Sequence, residues 1–191
     1  MIQLKITIDG ITPPIYRQIL VPDSYYLYKL HHIIQIAFGW ENSNVWCFWI
    51  EDTPTTNPML WGGGVTRWDK RVQLKSVLKK SGDILPYQYG KGEGLWKLTI
   101  ELQNVDTDRI RAPRCIDGAR FIMEDCGGVE GYRNLMHLLS HPELDGYLNL
   151  VYGLGDFDSE RFDKERVNEK LKGLTAYIRA FEEEHGLLGV W

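Results

Sequence analysis

Cys115 and Cys126, separated by ten residues, share a short stretch with Arg114, the neighbouring acids Glu124 and Asp125, the pair Gly127-Gly128, and Gly131-Tyr132. These residue types ligate metals, exchange disulfides, move protons and hold anions. A zinc site is one reading, but the spacing is not that of a ribbon or finger. Two more ligands would have to come from His31, His32, His137 or His141. A redox pair is a second reading. The simplest is two buried or half-buried structural thiols, because free cysteine packs as a small hydrophobe. Cys47, among aromatic strand residues, reads as core. Glu124-Asp125 offers a base or a ligand. Its plainer role is to order the turn, accepting backbone donors or the Arg114 guanidinium, since the adjacent glycines mark a tight turn that needs anchoring.

Other motifs carry less. His137 and His141 share a face of a predicted helix, but Leu138-Leu139-Ser140 between them lacks the glutamate of a zinc-protease motif. They read as helix-end solvation. His31 and His32 are adjacent and point in different directions, one to pack and one to meet water. His185 stands near a helix end, where its charge suits the dipole. Gly62-Gly63-Gly64 and Gly90-Lys91-Gly92-Glu93-Gly94 lack the spacing of a phosphate loop and read as loop and hairpin turn. No Gly-x-Ser-x-Gly elbow is present. These patterns predict no catalytic residue, no metal and no cofactor.

The elements that must position these residues follow from periodicity. Ile2, Leu4, Ile6 and Ile8 alternate with polar residues as a half-buried strand, and Ile15, Arg17, Ile19 and Val21 share one face of a second. An arginine in that stripe must lie at a sheet end or engage a carboxylate. Pro22-Asp23-Ser24 carries helix-start chemistry, and Leu27, Leu30, Ile34, Ala37 and Phe38 keep helical spacing up to Gly39. Trp46 to Glu51 is a short strand, and residues 52–72 are a long irregular excursion. Leu74 to Leu78 form a short helix, and residues 84–89 and 95–103 a hairpin. Helices follow over Gly131–Ser140, Glu143–Tyr152 and Asp163–Glu184, the last broken at Gly173. Strands first and helices last predict an α+β fold. An antiparallel or mixed sheet comes from the N-terminal two-thirds, with a helical C-terminal third packed on it.

The chain has 191 residues and a net charge of −4, which gives no global drive toward nucleic acid or anionic membrane. The charge is uneven. Residues 1–91 hold ten Lys/Arg against seven Asp/Glu, and the remainder twelve against nineteen. Arg67, Lys70, Arg71, Lys75, Lys79 and Lys80 can form a basic face, though a solvated helix face is the simpler reading. Three cysteines do not make a secreted disulfide framework. No charged-then-apolar leader opens the chain, and no apolar run reaches the length of a membrane span. A cytoplasmic protein without a membrane partner is expected.

Several motifs together resemble the plasmid pRiA4b ORF-3-like family, whose members are also labelled transposon passenger proteins of the TnpR type. They are Ile11-Thr12-Pro13-Pro14-Ile15-Tyr16-Arg17, Leu30-His31, Phe38-Gly39-Trp40 and Tyr87-Gln88-Tyr89, then Pro113-Arg114-Cys115, Glu124 to Gly128, Gly131-Tyr132, Phe157-Asp158 and Phe162-Asp163. The resemblance runs from Ile2 to about Leu171. It implies a compact α+β domain over residues 1–171, with residues 172–191 a helical extension packed on it, and an association of some members with mobile elements. This chain departs from the family at three places. Relatives read Ser-His-x-His-x-Phe where this chain has Ser43-Asn44-Val45-Trp46-Cys47-Phe48. They read Tyr-Asp-Phe-Gly-Asp-x-Trp-x-His where this chain continues from Tyr89 through Gly90 to Leu98 with the acids and the histidine replaced. A middle cysteine followed by two prolines is also missing around Phe121-Ile122-Met123.

The substitutions remove ionisable groups and keep hydrophobic anchors. A non-catalytic interaction domain is therefore expected, binding a protein or a small ligand. Trp40, Trp46, Trp61, Trp68, Tyr87, Tyr89 and Trp96 would line a groove or a protein-facing surface. Arg17, His31, Arg114, Cys115, Glu124, Asp125, Cys126 and Tyr132 complete the candidate binding set. One alternative is a nucleic-acid accessory protein using the basic 67–80 segment. Another is a metal-assisted or thiol-dependent enzyme at Cys115 and Cys126. Oligomeric state is not encoded in any of these patterns.

Overall fold

The alternation at the amino terminus folds as β1 (Ile2–Ile8), with Ile2, Leu4, Ile6 and Ile8 buried. The computed structural model describes residues 1–57, 67–106, 110–155 and 157–188; Trp61 and Gly62-Gly63-Gly64 lie outside the described residues. β1 pairs antiparallel with β2 (Tyr16–Val21), which sets Ile6 opposite Arg17, and with β7 (Trp96–Val105) on its other side. The remaining strands are β3 (Trp46–Ile50), β4 (Thr53–Thr56), β5 (Arg67–Trp68), β6 (Ile84–Tyr89) and β8 (Arg114–Ala119). The sheet runs β5-β4-β3-β6-β7-β1-β2-β8. Only the β4–β5 pair is parallel, so the sheet is mixed.

The helices are α1 (Leu27–Phe38), α2 (Leu74–Val77), α3 (Gly128–Leu139), α4 (Tyr147–Leu154), α5 (Lys164–Lys172) and α6 (Leu174–Glu184). The architecture is the α+β arrangement that the periodicity predicts. α1 is apolar nearly all round, and a helix of that kind must be covered on every side. Trp46 and Tyr87 of the sheet meet it on one side, and α5 and α6 pack on the other. The break at Gly173 separates α5 from α6 as expected. Leu171, Leu174, Phe181 and Leu187 bring this region into the hydrophobic core.

Three expectations are corrected. Residues 52–72 are not wholly irregular, since β4 and β5 lie within them; strands of four and two residues show no period to read. Residues 114–119, to which the sequence pattern assigns no element, are an edge strand. β8 is held by tertiary bonds: the Asn168 side chain on α5 accepts from the Cys115 amide at 2.8 Å and donates to the Cys115 carbonyl at 2.9 Å. The third correction concerns α1, which starts without a side-chain cap from Ser24. The Leu27 amide instead donates to the Val72 carbonyl.

Arg17 is 2% exposed and engages no carboxylate. Its Nε donates to the Ala37 carbonyl at 2.9 Å, and Nη1 to Tyr16 and Ala119 at 2.7 and 2.8 Å. Nη2 donates to Arg120 at 2.8 Å. The cation also lies between the rings of Phe38 and Phe162, at 4.8 and 4.3 Å from their centroids. Carbonyl dipoles and aromatic faces thus stand in for the counter-ion. Burial draws the pKa down to about 10, which leaves the group charged at neutral pH. Gly118 makes room for the sandwich, because a Cβ there would sit 2.6 Å from the Phe162 ring and 3.0 Å from Arg17.

Arg17→Met leaves the carbonyls of Ala37, Ala119 and Arg120 without their donor. The expected loss is about 3 kcal/mol or more, a fall in Tm of roughly 6–12 °C for a chain of this size. Arg17→Lys recovers only part of it, because an ammonium cannot reproduce the planar fork. A Tm for Arg17→Met within about 2 °C of the parent by scanning calorimetry would show that the guanidinium is not a structural tie.

Candidate functional site

α1 delivers two buried histidines to the sheet. His31 stacks on Trp46, with ring centroids 3.6 Å apart and planes at 9°. Its Nε2 meets the Asn42 Oδ1 at 2.7 Å, and its Nδ1 meets the Tyr87 hydroxyl at 2.8 Å. An amide oxygen only accepts, so Nε2 carries the proton and Nδ1 accepts from the phenol. The Asn42 Nδ2 lies 3.2 Å from the His32 Nδ1 and donates to it, which fixes the second tautomer. Both rings are therefore neutral. Burial pushes both pKa values down: His31 well below its ordinary value, with the neighbouring His32 adding to it, and His32 to about 3. Trp46 Nε1 in turn donates to the buried Asp69 at 2.9 Å, and burial raises that carboxyl to about 6.

A second cluster joins this one through Tyr89. The Tyr89 hydroxyl donates to Glu124 Oε1 at 2.5 Å, and the Glu41 amide donates to Oε2 at 2.5 Å. Ser43 and the Asn44 side chain reach the same carboxylate at 3.4 Å. Trp96 Nε1 donates to the Glu124 carbonyl at 3.0 Å, and Trp40 stacks on both Tyr89 and Trp96. Glu124 thus anchors its turn through one backbone amide and three side-chain donors, and its partners do not include Arg114. The following glycines are close approaches. A Cβ on Gly128 would stand 2.5 Å from the Glu93 carbonyl in the β6–β7 turn, and one on Gly131 would collide with the Cys126 carbonyl.

Of the predicted set, His31, Trp40, Tyr87, Tyr89, Trp96 and Glu124 come together in this connected cluster. Arg17 and Tyr132 flank it: the Tyr132 hydroxyl donates to the Phe121 carbonyl at 3.3 Å, next to the Arg120 carbonyl that Arg17 holds. Arg114 and Asp125 are exposed and stand apart. Cys115 is in β8 and Cys126 at the start of α3, and both are free thiols that burial pushes up to about 11. Trp40, Trp46, Tyr87, Tyr89 and Trp96 are at most 5% exposed. They are core and do not line an open groove; in this sheet the aromatic side chains face α1 rather than solvent. Only one of His31 and His32 was expected to pack, yet both are buried, because α6 covers the far side of α1. Among the described residues, no cluster of His, Cys, Asp and Glu is arranged to hold a metal ion.

Asn42 and Asp69 have no signal in the sequence. Asn42 follows the helix by only a few residues and acts through two histidines, and Asp69 sits inside the basic run. That run is not one solvated face. Lys70 pairs with the buried Glu182 at 2.7 Å, and Arg71 lies over the Trp68 ring. The Lys79 and Lys80 amides donate to Asp83.

Among the described residues, concave surfaces on the helical side include the following two. One, of about 570 Å³, lies between the end of α1 and α5; Phe38, Phe121, Phe157 and Phe162 form its apolar wall, with Arg161 and Arg166 also lining it. The other, of about 640 Å³, lies between the start of α1, residues 111–113 and α6. Among the described residues, no helix is long and apolar enough to cross a membrane.

Residues 1–166 match the family model described as plasmid pRiA4b ORF-3-like protein. The chain is 28% identical over 185 residues to the uncharacterized protein y4hQ of Sinorhizobium fredii (strain NBRC 101917 / NGR234), covering 92% of this chain and 93% of that one. It is also similar to the crystal structure of a protein of unknown function, MM3350, from Methanosarcina mazei Go1. There the identity is 29% and the TM-score 0.75, over 86% of this chain and 95% of the other.

The neutral histidines set a sign for stability against pH. Below an ordinary value of about 6.5 the unfolded chain takes up protons at both positions while the native chain refuses them. Each such histidine loses about 1.4 kcal/mol per pH unit. Asp69, raised to about 6, binds its proton earlier in the native state and offsets part of this below that pH. Urea unfolding should give a loss of about 3 kcal/mol between about pH 7 and 5, shrinking to about 1 kcal/mol in His31→Gln. Equal losses in the two proteins would mean that His31 is not held neutral.

Proposed function

This chain belongs to the plasmid pRiA4b ORF-3-like family, and we propose that it acts there as a non-catalytic binding domain whose polar aromatic cluster is architecture. The single observation behind this reading is that His31 and Glu124, the groups best placed to do chemistry, are buried or half-buried and already bonded within the fold. Both His31 nitrogens are occupied, and Tyr89 and the Glu41 amide occupy Glu124. Each shift also runs against reactivity at neutral pH: the histidines cannot take up a proton, and the thiols stay protonated. What is open to a partner lies on the helical side, where apolar walls meet Lys and Arg.

Residues 1–171 are then the domain and 172–191 an extension closing it, a division supported by the burial of Leu174, Phe181 and Leu187 and by the Lys70–Glu182 pair. Three free thiols suit a reducing, cytoplasmic setting. The nucleic-acid reading has less support, since Lys70 is turned inward and Arg71 lies over Trp68. A thiol enzyme at Cys115 and Cys126 has less still, since neither sulfur is ionised.

Two measurements on the purified chain test this. Iodoacetamide at neutral pH should leave Cys115 and Cys126 unmodified in the native state and alkylate both after unfolding. A thermal-shift panel of organic anions, cations and neutral compounds should contain a class that raises Tm by about 5 °C or more at saturating concentration. Rapid native alkylation of either thiol, or a panel with no effect, would overturn the reading.

A further inference from the structure

The larger cavity has a composition at odds with the chain around it. In a protein of net charge −4, five cations line it among the described residues: Lys29, Lys70, Arg111, Lys172 and Arg179. The acid among the lining residues is Glu182, already taken by Lys70. Lys172 and Arg179 make only exposed pairs along their own helices, with Glu169 and Glu183. Such pairs are worth little and exchange readily for a better anion. Arg111 joins no ion pair among the described residues.

The rest of the lining is apolar or aromatic. Leu171, Leu174 and Ile178 come from α5 and α6, and Tyr25, Tyr26 and Tyr28 from the approach to α1 and its first turn. Tyr28 is 4% exposed, and its hydroxyl has no hydrogen-bond partner. Burial raises its pKa, and the nearby carboxylates of Glu182, which is also within reach of a weak hydrogen bond, and Asp69 raise it further. A buried phenol whose neighbouring carboxylate is already paired with Lys70, beside a cavity, can donate to a ligand atom or a water. A volume of about 640 Å³ lies within the range of small-molecule sites.

We infer that this cavity binds a small organic anion with an aromatic body. Its charged head meets Arg111, Lys172 and Arg179, and its ring lies against the tyrosines and the Leu174–Ile178 wall. The inference rests on the binding-domain reading and names the ligand class of one of its surfaces. Inorganic phosphate would use the cations and waste the apolar wall. A nucleic-acid strand would meet the acidic chain beyond the cavity rim.

The test is calorimetric titration of the full chain with 2-naphthoate, with its neutral counterpart 2-naphthylmethanol, and with inorganic phosphate. The naphthoate is expected to bind one-to-one and at least about tenfold tighter than the alcohol, with no heat from phosphate. Arg111→Glu with Lys172→Glu, both at exposed positions, should weaken it about tenfold or more. Thr175→Trp, which fills the space from α6 without changing charge, should abolish it. Tyr28→Phe should weaken it several-fold, about what one lost hydrogen bond is worth. Arg161→Glu, at the other cavity, should leave it within about twofold. Circular dichroism and Tm confirm that each variant is folded.

Equal affinity for acid and alcohol, or loss of binding only in Arg161→Glu, would overturn the inference while the binding-domain reading stands. No binding of the naphthoate, with another class stabilising the protein in the thermal-shift panel, would do the same. Silence in both experiments removes both.

Discussion

The Arg17 guanidinium, sandwiched between Phe38 and Phe162, ties together pieces of chain that the sequence keeps far apart. Through Ala37 it holds the end of α1, and through Ala119 and Arg120 it holds the exit from β8. These are the roots of the two loops that Glu124 joins, one carrying Glu41, Asn42 and Asn44 and the other carrying Glu124 itself. Phe162 also sets where α5 begins, and the Asn168 amide of α5 then closes the free edge of β8. A buried cation tolerates no misplacement of its acceptors. The sheet, α1 and the helical layer are therefore located relative to one another at this point.

From that constraint follows the character of the polar cluster. Asn42 leaves the end of α1 and presents its oxygen to one histidine and its nitrogen to the other. A single amide thereby dictates two neutral rings, and burial between the sheet and α6 makes protonation costly. Tyr87, Gln35 and Trp46 complete the set. Buried polar networks of this kind rigidify a core, although His32 Nε2, Gln35 Oε1 and Asp69 Oδ1 have no hydrogen-bond partner among the described residues. Both His31 nitrogens, the Tyr87 hydroxyl and the Glu124 carboxylate are already bonded within the fold.

The departures from the family fit this picture. At Ser43-Asn44, where relatives carry a histidine, both side chains lie within reach of the Glu124 carboxylate, so the position now contributes to the clasp. Around Gly90 to Gly94, where relatives carry acids, the turn receives Gly128 at a separation that excludes any side chain. Five cations line the larger cavity on the helical side among the described residues. There an acidic chain concentrates lysine and arginine around apolar walls, a field that attracts an anion locally while the molecule as a whole repels one.

Alternation and helical spacing determined β1, β2, β3, β6 and β7, most helices, the break at Gly173 and the inward face of β2, because those periods are local and each residue's neighbours are fixed by covalent distance. The motif residues His31, Trp40, Tyr87, Tyr89, Trp96 and Glu124 could likewise be picked out by type. Their arrangement could not. Only the tertiary structure put the aromatics into the core, gave Arg17 carbonyls in place of a carboxylate, and separated Arg114 and Asp125 from Glu124. It also brought in Asn42 and Asp69, and assembled Tyr28, Arg111 and Lys172 around one cavity. In each case the deciding partner comes from a distant element, and periodicity says which side of an element is buried but not what covers it.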